Sequence, residues 1–310
     1  LDRLIRKQVE AGAKQIHTLT PARSDTPRVR ELLLADHLRL LTSNAEIRSL
    51  APVLDRMRMT KSAAELAMLQ RAIDATGAAQ ARVARTLRPG VWEYELEAEI
   101  LGAFLRYGAE RASFSSIVGS GVNATTLHYD RNRKQIEDGD LVVVDIGAEY
   151  SYYAADITRT YPASGMFTPR QRQIYELVLE AQRVCAEAVK PGGTHLGSLT
   201  DLAAEVFRKS PLRARDEQGN ERTLDYFFFH ATSHYLGMDV HDVADYGRVL
   251  QPGDVLTIEP GLYIPREKIG VRIEDDYLVT RDGLKKLSAA IPSQPAEIEL
   301  ALRGASAPGR

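Results

Sequence analysis

The sequence predicts an α+β fold made of two related halves, and three observations carry that prediction. Long helical patterns that stop at a Pro-Gly pair are followed by short apolar runs of strand character, and this order occurs twice. A Gly-Asp turn opens a strand region in each half, at Gly139-Asp140 and at Gly253-Asp254. Five positions beyond each turn aspartate stands an acid, Asp145 or Glu259, with Gly147 or Gly261 two residues later. A second acid follows on a further strand in each half, Asp156 and Glu274. The repetition argues for an internal duplication whose acids meet on a pseudo-axis.

Taken in order, residues 1–58 are charged and helix-like with a break at Ser24 to Pro27, and read as an amino-terminal segment that begins part-way through something larger. The main domain is expected over 59–300. From Lys61, KSAAELAMLQRAIDATGAAQARVARTL has apolar residues at helical spacing and a hard stop at Arg88-Pro89-Gly90. A second helix is expected from Trp92 to Tyr107, then a strand and a loop carrying His128 in SFSSIVGSGVNATTLHYDRN. EDGDLVVVDIGAEY reads as a turn and a buried strand. SYYAADITRTYP reads as one further strand, with Ala154, Asp156 and Thr158 on one face by two-residue alternation. The order then recurs: a helix from Gln171 to Val189 ending at Lys190-Pro191-Gly192, another around Leu199 to Phe207, a phenylalanine-rich apolar strand, the second Gly-Asp turn and two more strands.

Composition narrows the function. A chain of 310 residues, 44% hydrophobic and 26% charged, is able to bury a sizeable core. Lys+Arg at 40 against Asp+Glu at 42, with no dense basic block, speaks against a nucleic-acid partner. The longest aliphatic run, Leu141 to Val144, is too short to cross a bilayer, and LDRLIRKQVE carries charges where a signal peptide needs apolar residues. No membrane partner is expected, and the cytoplasm is the default location. Cys185 is the single cysteine, so no intramolecular disulfide forms.

Carboxylates are depleted from strand interiors and costly to bury unpaired, so Asp145 directly after Leu-Val-Val-Val needs a partner. Asp145, Asp156, Glu259 and Glu274 at one locus bring about four negative charges, which stay ionised only beside compensating cations. Two divalent ions balance them. Oxygen-rich ligation with one imidazole points to manganese first, with iron, cobalt or zinc as alternatives. The imidazole comes from FFFHATSHYLGMDVHD, which holds His230, His234 and His241, three of the seven histidines. His17, His37 and His195 fall outside this cluster and read as surface or structural.

HATSHYLGMDVHD, IEPGLYI and GVRIEDDYLVT, with VVVDIGAEYSYYAADITRTYP and LHYDRN, resemble the creatinase/aminopeptidase family, and within it the aminopeptidase P and prolidase group. The resemblance runs from about Lys61 to about Ser288 in the family's order. It implies the pita-bread fold, and residues 1–58 as a short remnant of that group's amino-terminal domain and linker. It further implies that Asp145 is a ligand of one metal, that His234 and Glu259 are ligands of the other, and that Asp156 and Glu274 bridge the two. His128 and His241 match histidines that bind substrate and stabilise the transition state; His230, Tyr263 and Arg272 match positions around the ligands. Ser233-His234-Tyr235 favours aminopeptidase P over prolidase, which often has Gly before the ligand histidine. Two departures, Ala231 and Ala155 in place of glycines, each add a methyl near the site.

The activity so implied is release of the amino-terminal residue from peptides with proline in second position, through a metal-bridging hydroxide with Glu259 as acid/base partner. The substrate needs a free amino terminus. Proline's amide has no N–H, so a site that binds its ring without using that donor prefers it. The alternatives are a prolidase acting on Xaa-Pro dipeptides and, from another class, a non-catalytic pita-bread binding module. A homo-oligomer is left open.

Overall fold

The computed structural model describes residues 1–19, 29–42 and 44–303, in two compact units, Leu1–Arg58 and Met59–Arg310. The first is not purely helical, as its charged sequence predicts. Helices α1 (Asp2–Glu10) and α2 (Val29–Leu41) alternate with strands β1 (Gln15–Thr18) and β2 (Glu46–Ser49), which pair in parallel from Gln15↔Glu46 to Thr18↔Ser49. Four residues per strand are too few for a two-residue period to stand out in a sequence. Helix α3 (Ala51–Met59) closes the segment. The break predicted at Ser24 to Pro27 lies outside the described residues.

In the second unit, α4 (Ala63–Thr86) starts at a capping box in which Ser62 Oγ accepts from the Glu65 N–H and the Glu65 carboxylate accepts from the Ser62 N–H. Its alanines Ala72, Ala75 and Ala79 are fully buried, so the backbone comes close to its neighbours. α5 (Glu93–Arg106) follows the Pro89-Gly90 stop. The strands of the first half are β3 (Arg111–Ala112), β4 (Ile117–Ser120), β5 (Leu141–Ile146), β6 (Ala148–Tyr150), β7 (Tyr153–Ala154) and β8 (Ile157–Pro162). β5 is the centre of the antiparallel sheet β4-β5-β8, and its six buried residues explain the unbroken apolar run. The predicted single strand SYYAADITRTYP is divided: β7 forms a hairpin with β6, the chain leaves the ladder at Ala155 and Asp156, and β8 then pairs with β5.

The second half repeats the plan. α6 (Pro169–Ala188) opens with its own capping box, Thr168 with Gln171, and with Pro169 in its first turn, where a missing N–H costs nothing. α7 (Ser198–Lys209) packs on it, and β9 (Arg213–Arg215) and β10 (Glu221–Thr223) form a hairpin. β11 (Val255–Ile258) then corresponds to β5, the hairpin β12 (Gly261–Ile264) and β13 (Ile269–Arg272) to β6-β7, and β14 (Asp275–Val279) to β8. β15 (Leu284–Lys286) extends the sheet β11-β14-β15, and α8 (Pro295–Arg303) ends the described chain. Where two strands were expected after the second Gly-Asp turn, there are five.

The phenylalanine-rich strand is also corrected. Leu224–Phe227 is a 3₁₀ turn, Phe228 lies edge-on against Phe207, and Phe229 is exposed; the segment meets β11 at the isolated bridge Tyr235↔Leu256 and not as a strand. High strand propensity gave way to packing against α7.

One hydrophobic core spans both halves, taking in Phe104 of α5, Val144 of β5, Tyr175 of α6, Phe207 of α7 and Leu256 of β11. Each such side chain stabilises the fold by about 1.5–3 kcal/mol through burial. The seam between halves is polar. The Glu274 N–H donates to Thr158 O, the Thr160 hydroxyl to Arg272 O, and the fully buried Arg159 guanidinium donates to the carbonyls of Thr158 and Glu274 and to the Asp275 carboxylate. Among the described residues no helix is long and apolar enough to cross a membrane.

Candidate metal centre

The repeat places its acids at equivalent points. Asp145 is the next-to-last residue of β5 and Glu259 directly follows β11; Asp156 directly precedes β8 and Glu274 directly precedes β14. Antiparallel pairing brings both ends together, and the polar seam brings the two pairs face to face. The glycine two residues after each first acid has a steric reason. A Cβ on Gly147 would stand 1.7 Å from Ala155 O, and one on Gly261 would stand 2.4 Å from the Tyr263 hydroxyl.

His234 comes from irregular chain held against β11. The Thr257 N–H donates to His234 O at 3.0 Å, and the His234 N–H to the Thr257 hydroxyl at 3.3 Å. Its Nδ1–H donates to Tyr235 O at 3.1 Å, which turns Nε2 toward the acids. Nε2 lies 3.4 Å from Asp156 Oδ2, 3.5 Å from Glu259 Oε1 and 3.9 Å from Glu274 Oε1. One ligand atom each of Asp156, His234 and Glu274 fall within 4.8 Å of one another.

Burial and the charges of the neighbouring acids, Glu274 first, hold the Asp156 and Glu259 carboxyls well above the usual carboxylate range. Burial and the charge of Asp145 push Glu274 up to about 8. His234 is pushed down to about 4 by burial, so its imidazole is neutral with Nε2 free to act as a ligand. Asp145 Oδ1, Asp156 Oδ1 and Glu274 Oε1 are buried without a hydrogen-bond donor. Acceptors in that condition, beside a neutral imidazole, form a donor set that fits divalent cations.

The other oxygen of Asp145 accepts from Arg272 Nη2 at 2.7 Å. Arg272 Nη1 donates to the Tyr263 hydroxyl at 2.8 Å, which donates to His230 Nε2 at 2.9 Å, and His230 Nδ1–H donates to Ala231 O at 2.8 Å. The three residues named from sequence as surrounding the ligands thus form one chain ending on Asp145. Burial pushes His230 down to about 4, so it accepts this bond as a neutral ring.

The acids and His234 line a cleft of about 520 Å³ with His128, His241, Phe114, Ile117 and Val240. His128 and His241 are exposed, and the His241 ring lies 4.3 Å from that of His234. Ala155 is fully buried and its carbonyl accepts from the Ser113 hydroxyl, so its methyl sits in packing and not in the cleft. His17 is a residue of β1, His37 pairs with Asp2, and His195 bridges to Val249.

Three contributors escaped the sequence reading. The Thr158 hydroxyl donates to Glu274 Oε2 at 2.7 Å and accepts from Arg272 Nε at 3.2 Å. Its place two residues past Asp156 was visible, its partners were not. Asp276, fully buried, accepts from the Asp156 N–H. Glu93 accepts from the Ser120 N–H and hydroxyl, Asn123 Nδ2, the Tyr129 hydroxyl and the Lys134 N–H, and so folds the loop that carries His128. An acid in the first turn of a helix reads as a dipole partner, which hides that role.

The model of metallopeptidase family M24 matches residues 67–281. An Escherichia coli Xaa-Pro aminopeptidase is 42% identical over 283 residues, covering 84% of this chain and 63% of that protein. Among solved structures, a candidate aminopeptidase P from Bacillus anthracis superposes with a TM-score of 0.90 at 36% identity, covering 99% of this chain and 74% of that one. A Glu-to-Ala variant of Escherichia coli aminopeptidase P in complex with substrate superposes at 0.83 and 36% identity, covering 98% and 74%. The two-halved pita-bread arrangement is common to them, and the chain spans less than two thirds of the length of the Escherichia coli relative.

Proposed function

The chain belongs to metallopeptidase family M24, and from that premise we propose that it is a di-metal aminopeptidase releasing the amino-terminal residue from peptides with proline in second position. The observation that carries the reading is the meeting of four acids and His234 Nε2 in one cleft, with three buried carboxylate oxygens lacking donors. Asp145, Asp156 and Glu274 would hold one ion, and His234, Glu259, Asp156 and Glu274 the other. Manganese suits this oxygen-rich set first; cobalt, zinc or iron are the alternatives. When bound, the ions supply charge compensation and an activated water nucleophile.

The chain's own residues do the rest. Glu259, the most open of the acids with a side chain 16% exposed, takes the proton of the attacking water and passes it to the departing proline nitrogen. His128 and His241, exposed in the cleft, donate to the carbonyl oxygen as it gains charge. Asp145, fixed by Arg272, faces the free amine of the substrate, which accounts for the need for an unblocked terminus. Tyr263 and His230 hold Arg272 in place. The same proposal takes residues 1–58 as part of an amino-terminal domain and 59–300 as the catalytic one. It also places the chain in the cytoplasm, where the buried thiol of Cys185 stays reduced.

The test is hydrolysis of an Xaa-Pro-Yaa tripeptide and an Xaa-Pro dipeptide after loading with manganese, by wild type and Asp156→Ala. Turnover of the tripeptide that vanishes in the variant supports the reading. Turnover of the dipeptide alone transfers it to a prolidase, and unchanged turnover in the variant removes the metal assignment.

A further inference from the structure

Behind the cleft, each long helix of the second unit reaches the acid-bearing strands through one buried glutamine. Gln80 of α4 donates through Nε2 to Val144 O at 3.2 Å and to Ile157 O at 3.0 Å, and its Oε1 accepts from the Tyr161 hydroxyl at 3.0 Å. Gln182 of α6 donates through Nε2 to Ile258 O at 3.0 Å and to Ile273 O at 3.2 Å, with the Asp275 carboxylate also within 3.0 Å. Val144 precedes Asp145 and Ile157 follows Asp156; Ile258 precedes Glu259 and Ile273 precedes Glu274. One amide in each half therefore ties the carbonyl beside the first acid to the carbonyl beside the second. The two glutamines are also equivalent in register, since Pro89-Gly90 stands nine residues after Gln80 and Pro191-Gly192 nine residues after Gln182.

We propose that Gln80 and Gln182 are paired positioning residues that set the spacing of the two acids within each half, and through it the affinity of the shared metal centre, Gln80 acting most on the ion that Asp145 would hold and Gln182 on the ion that Glu259 would hold. The inference rests on the di-metal reading. The chemistry of the residue type supports it. A primary amide carries two diverging hydrogens on one rigid plane, so a single side chain holds two carbonyls at a fixed separation. It does so without charge. Lysine or arginine at the same place would partly neutralise the acids in front of it and compete with the cations they are placed to hold. Asparagine is a methylene shorter, and an ionised glutamate has no hydrogen to give.

The experiment is Mn²⁺ binding to the full 310-residue chain by equilibrium dialysis and calorimetry, for wild type, Gln80→Met and Gln182→Met. Each variant is expected to weaken Mn²⁺ by about 10–100-fold, the range for groups that orient metal ligands, and chiefly in one of two binding steps, a different step for each. Thr76→Val is the control: its hydroxyl, one turn earlier on α4, donates to Ala72 O and accepts from the Ala148 N–H at 2.9 Å, and neither partner adjoins one of the four acids of the cleft. Gln80→Glu and Gln182→Glu keep the side-chain shape and, when protonated, one of the two hydrogens; they are expected to bind with intermediate affinity and stand in for a methionine variant that does not fold. Wild-type affinity in the folded glutamine variants overturns the inference, as does an equal loss in Thr76→Val. A wild-type chain that binds no Mn²⁺, Co²⁺ or Zn²⁺ overturns the metal reading and the inference together.

Discussion

The two halves share a scaffold and differ in what they hang on it. In the first, β5 is flanked by β4 and β8 in a regular ladder; in the second, β11 has β14 on one side and, where a counterpart of β4 belongs, irregular chain that keeps the bridge Tyr235↔Leu256 and a backbone bond from the Glu259 N–H to Thr232 O but forms no strand. Loss of that strand releases the backbone from period-two alternation. Residues 230, 234 and 241 are thus free to send imidazoles to three different places: the Tyr263 hydroxyl, the acids and the open cleft. The duplicated part of the fold sets out carboxylates in pairs, and on the proposed reading the part that broke with the duplication would supply the neutral ligand, His234, and one of the two donors, His241, the other being His128 of the first half.

Several substitutions sharpen or break this division. Asp156→Ala, which takes an acid from the shared scaffold, is expected to have the largest effect, reducing tripeptide turnover to background with loss of Mn²⁺ measured on the same sample. His241→Ala strikes the irregular part. If its ring donates to the developing oxyanion, kcat falls by about 10²–10³ while Mn²⁺ affinity holds, and a loss of metal instead of rate would place His241 among the ligands. Thr158→Val removes the hydroxyl between Glu274 and Arg272, and about 10–100-fold weaker metal binding is expected; an unaltered isotherm would show that the seam does not orient Glu274.

The metal-free chain carries a pH signature of the same crowding. Glu274 is raised from 4.5 to about 8 in the fold, so between those values the native state holds a proton that the unfolded chain has released. Its stability contribution is fully present below about 4.5 and is lost as pH rises through about 8. The thermal midpoint of chelated protein should therefore fall from pH 5 to pH 8, and saturating Mn²⁺ should flatten the slope; a flat profile without metal counts against the cluster. The smallest effects compare the halves' helices. Ser62→Ala and Thr168→Ala each remove a capping hydroxyl and should each cost about 1 kcal/mol, read as similar shifts in the denaturation midpoint.

What the sequence made visible follows from what repeats locally. Gly-Asp turns, apolar runs and acids at fixed offsets are short-range, and so is the spacing of His230, His234 and His241. The bonds that complete the site are not. Arg272 meets Asp145 across 127 positions and Thr158 meets Glu274 across 116, pairings that no periodicity announces. The misread Phe227–Phe229 stretch has a different cause: composition reports a preference for extended chain, whereas the structure uses Phe228 against Phe207 and leaves Phe229 outside. The break in SYYAADITRTYP was hidden for a related reason, since alternation continues through Ala155 and Asp156 although the ladder does not.

The polar seam also bears on how the chain is made. Synthesis delivers Asp145 and Asp156 long before Glu259 and Glu274, and the carbonyl of Glu274 that Arg159 grips does not yet exist when the first half leaves the ribosome. A nascent first half therefore presents two acids and no imidazole from the second, a poor trap for any ion. On the di-metal reading, tight capture would wait until translation has passed β14 and the two pairs of acids have met.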